Sequence, residues 1–270
     1  MTLRTPGDLY AEMWGAGEPT VVLVHAGITD CTLWDHEFMT LSGRHRVVRY
    51  DVRGFGQSSD PTGDYFDHDD LIEVMDAVGT RQAVLVGASN GGRIVLDTAL
   101  SAPDRVLGLV LVGSALPGTP ISPALEALFD EEDAALEAGD ITRAREINVG
   151  LWLNGVGRAP DDVAPEVRRR AIAWLDALLP RQARQITQRV GDARLLSPPA
   201  RERLGDITAP TLVVVGAHDL PRIRLAAQDL ARLIPHSLLA VIDGAAHLVN
   251  LEQPEEFNRV LSTFLARFAA

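Results

Sequence analysis

The chain has no lysine; all 25 of its basic residues are arginine. That absence excludes chemistry outright. No Schiff base can form on a side chain, so covalent pyridoxal phosphate is ruled out. A GxxxxGK[ST] phosphate loop and a Ser-Lys dyad are ruled out with it. Cysteine is almost absent too. With Cys31 alone, neither an intrachain disulfide nor a multi-cysteine zinc site can be built. Aromatic residues make up only 5% of the sequence. No apolar run reaches the ~18 residues a membrane span needs, and Met1 to Pro19 lacks an apolar stretch of signal-peptide length. The expectation is a soluble, cytoplasmic protein.

What is present reads as globular. Of 270 residues, 46% are hydrophobic and 23% charged, ordinary values for a packed domain. The net charge is −12. Such a surface is a poor partner for phosphates, so neither nucleic acid nor an anionic membrane is expected. A small-molecule substrate is the expected partner, and self-association into a homo-oligomer is left open.

Strand and helix patterns alternate along the first 115 residues. Leu9 to Glu12 reads as a short strand. Thr20–His25 is a continuous apolar run, as expected of a strand buried on both faces; Arg46–Asp51, Ala83–Val86 and Val106–Val112 also read as strands, Ala83–Val86 again buried. Helical spacing covers about Asp67–Val78 and Asn90–Ala102. The rhythm resumes with strands at Thr211–Val215 and Leu238–Ile242 and helices at Leu225–Leu233 and Pro254–Phe268. This order argues for an α/β fold, a mostly parallel sheet with helices on both faces. Between the two parts, residues 116–203 carry helical patterns and no convincing strand, and read as an inserted helical subdomain. The expected division is a core of 1–115 and 204–270, and an insertion of 116–203.

The strongest local signal is Gly87-Ala88-Ser89-Asn90-Gly91, a GxSxG directly after a buried strand and before a helix. A nucleophile on so sharp a bend needs neighbours without Cβ atoms, which Gly87 and Gly91 supply. A serine nucleophile also needs a base and a group to orient it. The last two strands end in Gly216-Ala217-His218-Asp219 and in Asp243-Gly244-Ala245-Ala246-His247. Functional loops of an open α/β sheet gather at the carboxyl ends of its strands, which groups Ser89, Asp219 and His247. Asp243 competes with Asp219 as the orienting acid. The strand before the insertion ends Val112-Gly113-Ser114-Ala115 and offers no carboxylate.

With these motifs, and with His25-Ala26-Gly27, Asp51-Val52-Arg53-Gly54-Phe55-Gly56-Gln57-Ser58 and Gly244-Ala245-Ala246-His247, the sequence resembles the serine-nucleophile branch of the α/β-hydrolase superfamily. His25-Ala26 stands where that family usually has His-Gly. The resemblance implies an α/β-hydrolase fold with a helical cap, a catalytic Ser89, Asp219 and His247, and an oxyanion hole from the N–H groups of Gly27 and Asn90, with Ile28 the alternative to Gly27. It implies no cofactor. It is similar to esterases, enol-lactonases, cofactor-free perhydrolases and C–C bond hydrolases, which share the triad. The expected activity is cleavage of a small to medium carboxylic ester or lactone through an acyl-enzyme. The fold also serves ligand-binding receptors and non-catalytic scaffolds.

Other residues have plainer readings. His218 adjoins Asp219 and points away if Asp219 points in. His25 reads as a structural residue bonding nearby loops. Asp67-His68-Asp69-Asp70 could ligate a metal, yet it sits where acidic residues favour a helix dipole, so no metal is expected. Gly54-Phe55-Gly56 lacks the third glycine of a dinucleotide loop. Cys31 reads as a small buried residue. Trp34, Phe129, Trp152 and Trp174 are the candidate pocket residues. The 12 arginines of the insertion either clamp a carboxylate substrate or pair with local acids on solvated helix faces.

Overall fold

The computed structural model describes residues 1–268. In chain order, strands β1 (Thr2–Arg4), β2 (Tyr10–Trp14) and β3 (Val21–Val24) precede helix α1 (Asp35–Leu41). Strand β4 (Val47–Tyr50), helix α2 (Asp67–Ala77), strand β5 (Ala83–Ala88), helix α3 (Asn90–Ser101) and strand β6 (Val106–Val112) follow. Helices α4 (Pro123–Ala138), α5 (Ile141–Asn148) and α6 (Pro165–Gln188) come next, with a π-helical turn at Val149–Asn154. Strand β7 (Thr211–Gly216), helix α7 (Pro221–Leu233), strand β8 (Leu238–Ile242) and helices α8 (Val249–Glu252) and α9 (Pro254–Leu265) close the chain.

The eight strands form one sheet in the order β1-β2-β4-β3-β5-β6-β7-β8. All pairings from β4 to β8 are parallel; β1 and β2 join antiparallel at one edge. The continuous apolar runs now have a physical explanation. Successive strand side chains point to opposite faces, and each face here has its own core. Val22, Val24, Leu85, Leu109 and Leu111 pack with α2, α3 and α7 on one side. Val21, Leu23, Val84, Val86, Val110 and Val112 pack with α9 and the segment around Trp34 on the other. An interior strand therefore has no solvated face on which a polar residue could alternate.

Strand β1, helix α1 and the four-residue helix α8 are not visible in the sequence pattern. Strand β1 is three residues long and largely exposed, so it carries no apolar signal. Helix α1 is short and follows a 3₁₀ turn at Cys31–Trp34 whose cap is the Asp30 carboxylate, accepting from Thr32 N–H.

The segment between β6 and β7 contributes three helices. Its own core is small, built of Ala135, Leu136, Ala144, Leu175 and Leu179. It also packs into both sheet cores, Ile147 and Leu151 on one side and Leu153, Val163, Val167 and Ala171 on the other, and polar contacts add to that hold. Arg170 bonds Asp35 and the Thr32 carbonyl, and Trp174 Nε1 donates to Thr32 Oγ1 at 3.0 Å. Arg181 bonds Asp60 (2.7 Å) and the carbonyls of Gly56 (2.8 Å) and Ser58 (2.6 Å). Only some of the insertion's arginines pair locally, such as Arg143 with Glu131 and Glu146, and Arg145 with Asp176.

Gly216 ends β7 against the loop that precedes His247. A Cβ there would lie 2.0 Å from the Ala246 carbonyl oxygen, whereas a Cβ at Gly205 would meet nothing within 4 Å. Overpacking against backbone costs about 1–3 kcal/mol. We therefore expect Gly216→Ala to lose about 2–3 kcal/mol in urea denaturation and Gly205→Ala to change stability by less than ~0.5 kcal/mol. Equal midpoints for the two variants would contradict the packing described.

Candidate active site

Ser89 joins β5 to α3 with φ 53° and ψ −111°. That region is costly for a residue with a Cβ and persists only where the surroundings impose it. Here they do. Ser89 N–H donates to the Val112 carbonyl at 2.8 Å, and its carbonyl accepts from Arg93 (3.1 Å) and Ala115 (3.0 Å). A Cβ at Gly87 would lie 2.2 Å from the Gly91 oxygen, and one at Gly91 would lie 2.3 Å from the Val24 oxygen. Both glycines are thus fixed by backbone, and the bend holds Ser89 half-buried at the sheet's carboxyl edge.

Asp219 follows β7 and His247 follows β8. The Asp219 carboxylate is fully buried and His247 is 4% exposed. Their contact is two-pronged: His247 Nδ1 lies 2.9 Å from Oδ2 and 3.1 Å from Oδ1 of Asp219. Oδ1 also accepts from Leu220 N–H at 2.7 Å. A proton on Nδ1 satisfies both carboxylate contacts, which leaves Nε2 as the basic nitrogen. Asp243, the competing acid, is exposed. His218 turns toward the insertion instead, its Nδ1 3.1 Å from the Val156 carbonyl.

Gly113 links these groups, and its role was not apparent from sequence. It has φ 50°, and a Cβ there would lie 3.3 Å from both Asp219 Oδ2 and His247 Nδ1. The same short segment that bonds Ser89 through Val112 and Ala115 therefore bears directly on the acid and the imidazole. A glycine just past a buried strand was the available signal.

Gly27 and Asn90 adjoin: a Cβ on Gly27 would touch Asn90 Cβ at 3.5 Å. Asn90 begins α3, so its N–H is among those that lack a carbonyl partner at a helix start. Ile28 packs its side chain against the insertion's core. The Asn90 amide oxygen accepts from Arg93 Nε at 3.0 Å, and Arg93 is itself gripped by buried Asp67 and Asp97. Asp67 and Asp70, read as metal ligands on paper, are thus arginine partners, Asp70 binding Arg53 through two contacts.

The four candidate pocket aromatics separate. Trp152 rides on the π-helical turn with its ring centroid 4.4 Å from that of His247. Phe129 stacks on Trp152 at 6.3 Å. Phe129 also lines a cleft of about 850 Å3 between the insertion and the loop around Phe55 and Tyr65. Trp174 is held in the seam between insertion and sheet domain by its bond to Thr32. Trp34 is fully buried against Phe257 in the sheet core. Cys31 is buried beside Asp51, and burial pushes its thiol far above the usual range.

Residues 21–260 match the model of the alpha/beta hydrolase family. The chain belongs to that family. A Caulobacter sp. (strain K31) protein classed as a carbamate hydrolase, RutD, is 30% identical across all of both chains. The 3-oxoadipate enol-lactonase 2 of Acinetobacter baylyi is 25% identical, over 96% of this chain and 93% of its own. Among solved structures, a thermophilic esterase from Thermogutta terrifontis superposes with a TM-score of 0.80 at 27% identity, covering 100% of this chain and 99% of its own. The protein is a hydrolase of the esterase, lactonase and carbamate-hydrolase type, on the α/β-hydrolase fold expected from its motifs. No helix among the described residues is long and apolar enough to cross a membrane.

His25 ties the loop after β3 to the loop after β4. Its Nδ1 lies 2.8 Å from the Ala26 carbonyl, and its Nε2 accepts from Val52 N–H at 3.0 Å. Both nitrogens are committed, so only the neutral ring fits, and burial lowers its pKa below the ordinary 6.5. In acid the unfolded chain takes up a proton that the folded chain refuses, so stability falls as pH drops below ~6.5. We expect the wild type to lose more stability than His25→Gln between pH 6.5 and 5.5 in urea titrations, by up to ~1 kcal/mol. Parallel pH slopes would contradict this.

Proposed function

We propose that the protein is a serine hydrolase that cleaves small to medium carboxylic esters or lactones through an acyl-enzyme on Ser89. The observation that carries the proposal is the buried Asp219–His247 pair packed on the same Gly113 segment that pins the strained Ser89 turn. In the reaction, His247 Nε2 takes the Ser89 Oγ proton as Oγ attacks the carbonyl carbon. Asp219 holds the Nδ1 proton and stabilises the imidazolium that results. The N–H groups of Gly27 and Asn90 receive the developing oxyanion, each such donor contributing about 2.7–4 kcal/mol in known cases. His247 then gives its proton to the leaving oxygen and the C–O bond breaks. Water, deprotonated by the same nitrogen, attacks the acyl-enzyme and frees Ser89.

Phe129 and Trp152 make the wall nearest His247 apolar, which suits an uncharged acyl group. The cleft beside Phe129 is the proposed approach for substrate. The carbamate hydrolase among the relatives favours a second reading: a carbamate carbonyl is open to the same attack, with an amine or carbamic acid as product.

Ser89→Ala should abolish turnover of p-nitrophenyl esters and labelling by a fluorophosphonate probe while the circular dichroism spectrum stays unchanged. Asp219→Asn should lower kcat about 10⁴-fold, the size seen when a triad acid is lost; Asp243→Asn should change it less than ~3-fold. An active Ser89→Ala protein would sink the nucleophile assignment, and a severe Asp243→Asn defect would sink the acid. Comparing butyrate esters, lactones and aryl carbamates at equal concentration ranks the two readings.

A further inference from the structure

One arginine of the insertion bonds to both sides of His247. Arg158 lies just after the π-helical turn that carries Trp152. Its Nε donates to the Asn154 carbonyl at 2.8 Å and its Nη2 to the Leu153 carbonyl at 2.7 Å. The guanidinium thus satisfies the two carbonyls that end the turn. Its third nitrogen crosses to the sheet domain. Nη1 meets Glu252 Oε2 at 2.5 Å and the Gly244 carbonyl at 3.2 Å. The other Glu252 oxygen accepts from Ala246 N–H at 3.0 Å, one residue before His247. Both side chains are sealed, Arg158 6% and Glu252 5% exposed.

The neighbouring backbone is equally close. Val156 N–H donates to the His218 carbonyl at 2.8 Å, one residue before Asp219. A Cβ at Gly155 would lie 2.5 Å from that same carbonyl oxygen and 2.6 Å from Ala246 Cβ. The stretch from Trp152 to Arg158 therefore touches the loop of the acid and the loop of the base at once.

We propose that Arg158 and Glu252 are positioning residues, whose buried ion pair locks the Trp152 turn onto the His247 loop and so fixes the imidazole beneath its apolar cover. This rests on the reading of His247 as the base. A planar fork is needed for the task, because three carbonyls and a carboxylate are bound in fixed directions by one group. Lysine offers a single nitrogen and cannot reach all of them. The pair also explains a buried carboxylate that takes no part in the chemistry. Burial raises the Glu252 pKa, and Arg158 opposes that rise. Either residue alone would leave a buried charge stranded.

The test uses full-length protein and p-nitrophenyl acetate. Arg158→Met and Glu252→Gln should each lower kcat about 10–100-fold, the cost of a small misplacement in a catalytic group. KM should change less than ~3-fold, since substrate binding is not what the pair supplies. The double variant should fall no more than ~3-fold below the worse single variant. Arg158→Lys should not restore kcat. A second readout needs no turnover. The Trp152 contribution to fluorescence, taken as wild type minus Trp152→Ala, should become more open to acrylamide quenching in Arg158→Met. If Arg158→Met does not fold, Glu252→Gln and Arg158→Lys carry both readouts. Unchanged kcat with unchanged quenching would overturn the proposal, as would losses that multiply in the double variant. If Ser89→Ala stays active, the hydrolase reading fails separately, and quenching still decides whether the pair fixes Trp152.

Discussion

The backbone of Ser89 is the constraint on which the rest of the site depends. A residue with a Cβ is held at φ 53°, and the surrounding groups must impose that geometry. They do so with three hydrogen bonds, to Val112, Arg93 and Ala115. They also do so by crowding, since Gly91 passes within contact of the β3 backbone and Gly87 of Gly91 itself. The bend in turn sets α3 deep in the domain, with nearly all of its side chains buried. A helix so enclosed cannot shift, and its first N–H is therefore a fixed donor. The Asp67–Arg93–Asp97 network serves the same end by gripping the Asn90 side chain.

A chain without lysine fastens its parts with guanidinium forks. The insertion is seated by apolar packing, Ile147 and Leu151 entering one sheet core and Leu153, Val163, Val167 and Ala171 the other, and polar contacts add to it. Arg170 and Arg181 each join a carboxylate to one or more backbone carbonyls of the opposite part. A fork can satisfy several acceptors in fixed directions, which an ammonium does less well. In sequence these residues look like ordinary helix-face charges. Their partners Asp35 and Asp60 lie more than a hundred residues away, so spacing along the chain carries no trace of the contact. The local pairs at Arg143 and Arg145 are the ones a sequence pattern can anticipate.

That difference describes what was legible more generally. The interior strands were readable because burial on both faces removes polar residues from the run, a one-dimensional signal. The turn at Ser89 was readable because its glycines are close in sequence to the residue they serve. Asp219 was preferred from sequence with Asp243 as its competitor, since each lies near a strand end. Only the fold shows one buried against His247 and the other in solvent. Trp34 and Trp152 were equal candidates for the pocket for the same reason. Trp34 sits on a 3₁₀ turn pressed into the sheet core beside Phe257, while Trp152 sits on a π-helical turn over the imidazole. Strand β1 was illegible because antiparallel edge pairing needs backbone groups and little else.

The division of labour follows from this geometry. The sheet places Ser89, Asp219 and His247, the proposed nucleophile, acid and base, after three different strands, and neighbouring strands in a packed sheet cannot move independently. That part can remain constant while the substrate changes. What covers His247 comes from the insertion: Trp152 from the turn after α5, backed by Phe129 from α4. Relatives that share the whole fold at about 30% identity or less carry names as different as esterase, enol-lactonase and carbamate hydrolase. In the proposed acyl transfer the same carbonyl attack serves esters and carbamates, but an amine leaves only after its nitrogen has been protonated, so the acid must reach it. On the proposed reading, choice among such substrates falls to the covering turn and to what holds it, so a residue such as Arg158, remote from the bond being broken, can matter to the reaction.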